Sequence, residues 1–439
     1  MSQSSKNFNN TKTVQDRQLN NAIRDISELF STVTSTWEVP GVAFVDPLAS
    51  GSGTLGDGND PFSTVALAEA SSPDAIFLLP GNYSETVNLV SGMTYFSYPG
   101  VTFVNGGLRV AENQDGTRWL GYSKFIGNFF QVYLNADFSM ENMYFELDEI
   151  TETGSGSRCI YVKPFANNSN IVIKVRGKVT SYGGNGHGIR FQDNANVDLF
   201  VEEGIYGPYG PLNTFNLTGT CTVNTPKIVG TDGGFAGDVA GFKAAVWNQL
   251  SSGGTLIVNG DVIQETTPTI AGAASTGNVA SAVHSSGSGN VIINGTVDGG
   301  QQRGISHIAT GYTIVNGNVK SAGDHAFEAT AGNLLIESSS IFQNESSILS
   351  EAGKVWLNGC QVFSEATDHI IDVTANTNEL YVHNTVLEGT AGVCVEHNAT
   401  TATIGFSGTT SNLANSALTD AYSPTGFVQQ TGVRTPDFI

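Results

Sequence analysis

The chain has 439 residues, enough for one large elongated domain with small terminal pieces. Only 13% of residues are charged, against about 25% in an ordinary soluble domain, and 52 are glycine, which argues against a fold of long solvated helices. The net charge of −21 argues against a nucleic-acid partner or an anionic membrane surface, since both need clustered Lys and Arg.

Residues 1–13 are polar. The first 18 residues hold no apolar stretch of the kind an export signal needs, and no run reaches transmembrane length. The expectation is a product assembled in the cytoplasm, without membrane insertion. Between 14 and 37, apolar residues fall at Leu19, Ile23, Ile26, Phe30, Val33 and Trp37, in alternating steps of four and three. That is the seam of a coiled coil. The spacing predicts a short helix over 1–38 that oligomerises, as a trimer, or docks to a partner. An amphipathic helix lying across a solenoid end is the alternative.

Residues 44–89 read FVDPLASGSGTLGDGNDPFSTVALAEASSPDAIFLLPGNYSETVNL. Val45-Asp46-Pro47, Asp60-Pro61-Phe62, Thr64, Pro80-Gly81, Tyr83 and Glu85 carry the pattern. This segment, placed within a first region of 39–90, resembles the opening of pectin-lyase-like parallel β-helix proteins. Members of that superfamily include lyases, esterases, hydrolases, adhesins and phage tailspikes. The resemblance implies the fold and leaves the function open.

The β-helix is expected over 91–410, and between 282 and 410 a unit recurs, with a looser beat upstream. Short strands anchor on Val283, Ile305, Phe327, Ile348, Ile371 and Val393, at steps of 22, 22, 21, 23 and 22. A second strand follows each, placing Ile292, Ile314, Leu335 and Trp356 on one side and polar residues on the other. Strands this short bury a face only by stacking on their neighbours. A propeller blade needs about 40–50 residues, which this beat does not supply. Asn259, Asn294, Asn316 and Asn358 recur at a corner and are expected to stack, with Glu337 breaking the column. The stretch TTPTIAGAASTGN reads as a loop inserted into a rung. Repeat and resemblance together predict an all-β, right-handed parallel β-helix with rungs of about 22 residues. Residues 411–439 read as a strap or contact peptide.

The four cysteines are far apart and form no CxxC pair, so buried thiols are expected rather than a metal site. No sequence motif calls for a cofactor. His187, in GGNGHGIRF, resembles the G-H-G element of polygalacturonase-type hydrolases. The preceding RCIYVKPFANNSN lacks the carboxylates such enzymes need, and Arg190 is too close to be their downstream arginine. His187 therefore reads as a turn residue.

Asp324, Glu345 and Asp368 stand three residues before successive anchors, with Gln302 before them. On rungs ~4.8 Å apart, Asp324 and Glu345 would approach the ~5–5.5 Å separation of a retaining glycosidase. Bound Ca²⁺ and a glycan hydroxyl are further uses. A solvated corner accounts for the same pattern more simply. Tyr206, Tyr209 and Phe215, in GIYGPYGPLNTFNL, are the candidates for stacking on a sugar, and packing is the alternative.

An acidic polar β-helix behind a short N-terminal helix resembles phage tailspikes and tail or head fibres. The resemblance implies a homotrimeric virion protein, docked to other virion proteins by its N-terminus and facing host surface polysaccharide. A polysaccharide depolymerase, lyase or hydrolase, on the same architecture is one alternative. A bacterial surface adhesin is another.

Overall fold

A computed structural model of the chain describes residues 39–411 and Phe427–Gln429, apart from internal stretches at 129–130, 137–138, 155–157, 165–167, 183–187, 209, 232–243, 266–280, 301–302, 321–324, 338–339, 344–347, 351–352, 365–368, 374–378, 390–392, 398–402 and 408–409. The expected N-terminal seam, from Leu19 to Trp37, lies outside the described residues. The chain divides into two compact units, Met1–Leu79 and Pro80–Ile439.

In the first unit, the strand Val42–Val45 pairs in parallel with Ala75–Leu78. A one-and-a-half-turn helix, Val65–Ala70, lies between them in sequence. Thr64 starts it by accepting a hydrogen bond from the Leu67 amide at 3.2 Å. Val65 and Ala68 are its buried side. The residues that carried the resemblance have local work to do. Asp46 accepts from the Leu48 amide at 2.9 Å, and Asp60 accepts from the Thr54 hydroxyl at 2.6 Å. Phe62 is buried, and its amide donates to the Phe44 carbonyl at 2.8 Å.

The second unit is a parallel β-solenoid, as the repeat predicts. Its rungs have three faces. Face A opens with Thr94–Ser97 and Arg118–Gly121 and ends with Thr403–Ser407 and Phe427–Gln429. Face B runs from Gly81–Tyr83 and Val101–Val104 to Val386–Gly389 and Thr410–Ser411. Face C is a sheet of thirteen described strands, from Thr86–Leu89 to Val393–His397. Faces A and B meet at a tight corner. In Thr220–Gly230 and Thr255–Gln264 one long strand serves both. Within the C-terminal tail, Phe427–Gln429 adds a strand to face A against Ile404–Phe406.

The interior is layered. Tyr83, Phe103 and Phe125 stack along the axis at centroid distances of 5.2 and 4.9 Å. Tyr95 lies 4.9 Å from Trp119, whose indole N–H donates to the Ser123 hydroxyl at 2.9 Å. Further along, aliphatic side chains take over. On face C, Val283, Ile305, Phe327, Ile348 and Ile371 are paired in register and fully buried, as the beat predicts. The last step differs. Ile371 pairs with Val395, and Val393 pairs with His369. That rung is two residues longer than the 22-residue beat, and the shift by an even number keeps the same strand parity.

The second strands need a correction. Val291, Ile293, Val315, Leu334, Ile336, Val355 and Leu357 are the fully buried inward residues of face A. By alternation, Ile292, Ile314, Leu335 and Trp356 point outward. Runs such as VII and LLI are apolar at both parities, so the sequence pattern alone could not choose between sides. Leu335, Trp356 and Tyr381 form a second buried cluster on that outer side, with Ile314 partly buried against it.

The asparagine column forms on the same outer side. Asn259 Nδ2 donates to Asn224 Oδ1 at 2.8 Å, Asn294 to Asn259 at 2.7 Å, and Asn316 to Asn294 at 2.8 Å. Glu337 interrupts it, pairing in register with Asn316 on one rung and Asn358 on the next. Asn259 and Asn294 stay in register although 35 residues separate them. The inserted segment therefore leaves the sheet undisturbed.

Glycine is required at the corner between faces C and A. Gly332 has φ +69°, and a Cβ there would collide with the Ala309 carbonyl oxygen. Cys159, Cys221 and Cys360 are buried free thiols, as expected, and burial pushes the Cys159 and Cys221 thiols up.

Candidate functional site

Asp324, Glu345, Asp368, His187 and Tyr209 lie outside the described residues. Tyr206 and Phe215 are described, and they stand on different faces. Tyr206 is on face B, in register with Thr180, with Lys227 Nζ 5.5 Å from its ring. Phe215 is on face C, in register with Gln192 and Gln249. The segment GIYGPYGPLNTFNL holds two strands, Gly204–Gly207 and Leu212–Phe215.

Phe215 belongs to a larger arrangement that sequence reasoning missed. On face C, apolar residues such as Ile160, Val162, Ile189, Phe191 and Leu212 fill the interior. The residues between them point outward and stack rung on rung. In register order they are Arg109, Tyr133, Tyr161, Arg190, Asn213, Trp247, His284, Ser306 and Glu328. At ~4.8 Å per rung, Arg109 to Trp247 spans about 24 Å.

The contacts along this column alternate guanidinium and ring. Arg109 lies 5.4 Å from the Tyr133 ring centre, Arg158 lies 4.9 Å from that of Tyr161, and Arg190 lies 4.4 Å from that of Phe215. The Tyr133 and Tyr161 rings are 5.5 Å apart. Such stacking holds a guanidinium flat and leaves its edge donors free to bond. The Tyr161 hydroxyl donates to Gln192 Oε1 at 2.9 Å, which fixes its ring. Trp247 lies edge-on to His284 at 6.4 Å.

Electrostatically the column is set against the rest of the molecule. Burial, then the neighbouring Arg158, lowers Arg190 to about 10, so its guanidinium stays charged at neutral pH. Burial also lowers Arg158. Asn213 is fully buried between Arg190 and Trp247. Its Nδ2 donates to the Trp247 carbonyl at 3.1 Å, and among the described residues its Oδ1 has no hydrogen-bond partner. Toward the C-terminal end the column turns acidic. Glu328 forms an ion pair with Arg303, and Leu349 and Asp372 follow in register.

Aromatic faces take the C–H side of a sugar ring, while planar guanidinium edges donate to hydroxyl or acidic oxygens. A row of both, ~4.8 Å apart per step, suits a linear oligosaccharide lying along the solenoid axis. Among the described residues no group of three His, Cys, Asp or Glu is placed to hold a metal ion, and no helix is long and apolar enough to cross a membrane. No protein-family model, no curated protein and no solved structure matches the chain.

Proposed function

We propose that the protein is a structural component of a virion, a homotrimeric tail fibre, tailspike or head fibre, that presents face C to polysaccharide on the host surface. The observation that carries the glycan part of this reading is the Arg109–Trp247 column, a row of stacked rings and guanidinia on one outer face. The virion part rests on the architecture: an acidic solenoid behind a segment whose sequence has coiled-coil spacing. Light scattering on the full chain tests the assembly. A particle of three chains supports the fibre, and a single chain in solution sinks it.

One observation favours depolymerisation as a second reading. Glu328 and Asp372 stand in one outer column, two rungs apart through Leu349. That places their backbones about 9.6 Å apart by rung spacing, just beyond the ~6.5–9.5 Å between the carboxylates of inverting glycosidases. The ion pair from Arg303 to Glu328 counts against a free acid catalyst there. New reducing ends appearing in a bound polysaccharide, and lost in Asp372→Asn, would move the protein to this class.

A further inference from the structure

We propose that the polysaccharide held by face C is acidic, with Arg190 and Arg109 taking its anionic groups between the rings of Tyr133, Tyr161, Phe215 and Trp247. This rests on the reading of face C as a glycan-binding surface and adds the chemical class.

The argument starts from charge pairing. In a chain with 40 acidic and 19 basic residues, cations have no shortage of carboxylates to meet. The ion pairs among the described residues use Lys124, Arg176, Lys178, Arg303, Lys320 and Lys354. Arg109 and Arg190 are in none of them, although they stand on the same ladder of rungs. Each is held against a ring instead, at 5.4 Å from Tyr133 and 4.4 Å from Phe215. Arg190 also lies close enough to Arg158 to be disfavoured by its charge. Two partly buried guanidinia side by side repel and lose hydration, and Asp193 offsets this only in part, through space and without an ion pair to Arg190. An external anion removes that penalty.

Two further observations give the site polar direction. Arg190 Nε is a buried donor with no hydrogen-bond partner among the described residues. Asn213 Oδ1, one rung on, is a buried acceptor in the same state. Both atoms are closed to solvent, so an acidic oxygen of the sugar meets the terminal nitrogens of Arg190, whose side chain is only partly buried. Arg109 lies three rungs from Arg190, about 14 Å along the axis, so the second cation calls for a polymer with repeated charge rather than a single small anion.

Guanidinium accepts carboxylate and sulfate alike, so the test has an arm for each. Binding of the full chain is measured by calorimetry to hyaluronan oligosaccharide (carboxylate), dextran sulfate (sulfate) and dextran (neutral). The expected result is binding to a charged polymer, none to dextran, and weakening as salt rises. Arg190→Gln should weaken it roughly ten- to a hundredfold, the worth of one charge-assisted bond. Arg190→Lys should recover part of the loss, because it keeps the charge without the planar fork. Lys354→Gln, on face A, should change nothing. Near-UV circular dichroism confirms that each variant is folded. Dextran binding as tightly as the charged polymers, with Arg190→Gln unaffected, overturns the acidic assignment and leaves the glycan reading standing. Failure of all three polymers to bind overturns both.

Discussion

Asn294 donates from Nδ2 to Oδ1 of Asn259 at 2.7 Å, bridging rungs whose residues are 35 apart in sequence. Asn259 in turn donates to Asn224 at 2.8 Å, so one side chain both gives and takes. Asn259→Ala removes two bonds of a polarised chain and should cost about 1–2 kcal/mol. Asn316→Ala, at the end of the ladder, breaks the single bond to Asn294 and should cost about half as much. Thermal melts of the two variants compare them directly, and equal shifts would show that the number of ladder bonds does not set the loss.

Arg176 and Glu146 meet at 3.0 Å with little water around the carboxylate, which also accepts from the Tyr144 hydroxyl at 2.7 Å. Burial first, then Glu146, pushes the Tyr144 hydroxyl up. Arg176→Met strands the carboxylate and should destabilise by about 2–3 kcal/mol, less than the ~3–5 of a fully buried pair because Arg176 keeps some water contact. The double variant Arg176→Met with Glu146→Leu should recover most of that. A double variant no better than the single one would mean that the arginine acts through its stacking on Tyr122, 4.2 Å away, rather than through charge.

Gly332→Ala puts a Cβ against the Ala309 carbonyl oxygen at φ +69°. Both the left-handed backbone and the collision oppose it, so a loss of about 2–4 kcal/mol is expected. Gly116 has a similar φ of +72° but open space around its Cβ position, so Gly116→Ala should cost only about 1 kcal/mol. The difference in melting temperature between the two isolates the rung contact from the backbone term.

His284 and His307 are buried, and burial lowers both to about 4 from 6.5. The unfolded chain therefore takes up protons near pH 6.5 that the folded chain refuses until about pH 4. Stability should be flat above pH 6.5 and fall as pH drops toward 4, by on the order of 3 kcal/mol for each histidine. His307 also bonds the Thr313 hydroxyl through Nδ1 at 2.9 Å. His307→Asn should lower stability at neutral pH and flatten the acid slope. An unchanged slope in both His307→Asn and His284→Asn would assign the acid loss to carboxylates.

The repeat was legible because Val283, Ile305, Phe327, Ile348 and Ile371 recur through corners of nearly constant length. Where a rung lengthens, as between Ile371 and Val395, counting residues slips, and only strand pairing corrects it. The outward position of Ile292 and Trp356 was not legible, since three apolar residues in a row satisfy either parity. The Arg–aromatic column was harder still. Tyr133, Tyr161, Arg190, Asn213 and Trp247 are separated by 28, 29, 23 and 34 residues, with no common period. A local signal does exist: large polar or aromatic residues sit between apolar neighbours, as in VYL, IYV and IRF. Alternation turns such triplets outward, and stacking the strands aligns them.

Among the described residues, strands such as Ser281–Gly287 and Arg303–Ala309 pair with the strands of the rungs before and after on the same face. Nothing in the second unit therefore fixes how many rungs there must be. A tandem duplication of one repeat would add ~4.8 Å of reach and leave every existing rung packed as before. Length becomes a heritable variable independent of the fold. A chain with an added rung would extend further while keeping the same cross-section, and the column on face C would gain one position with it.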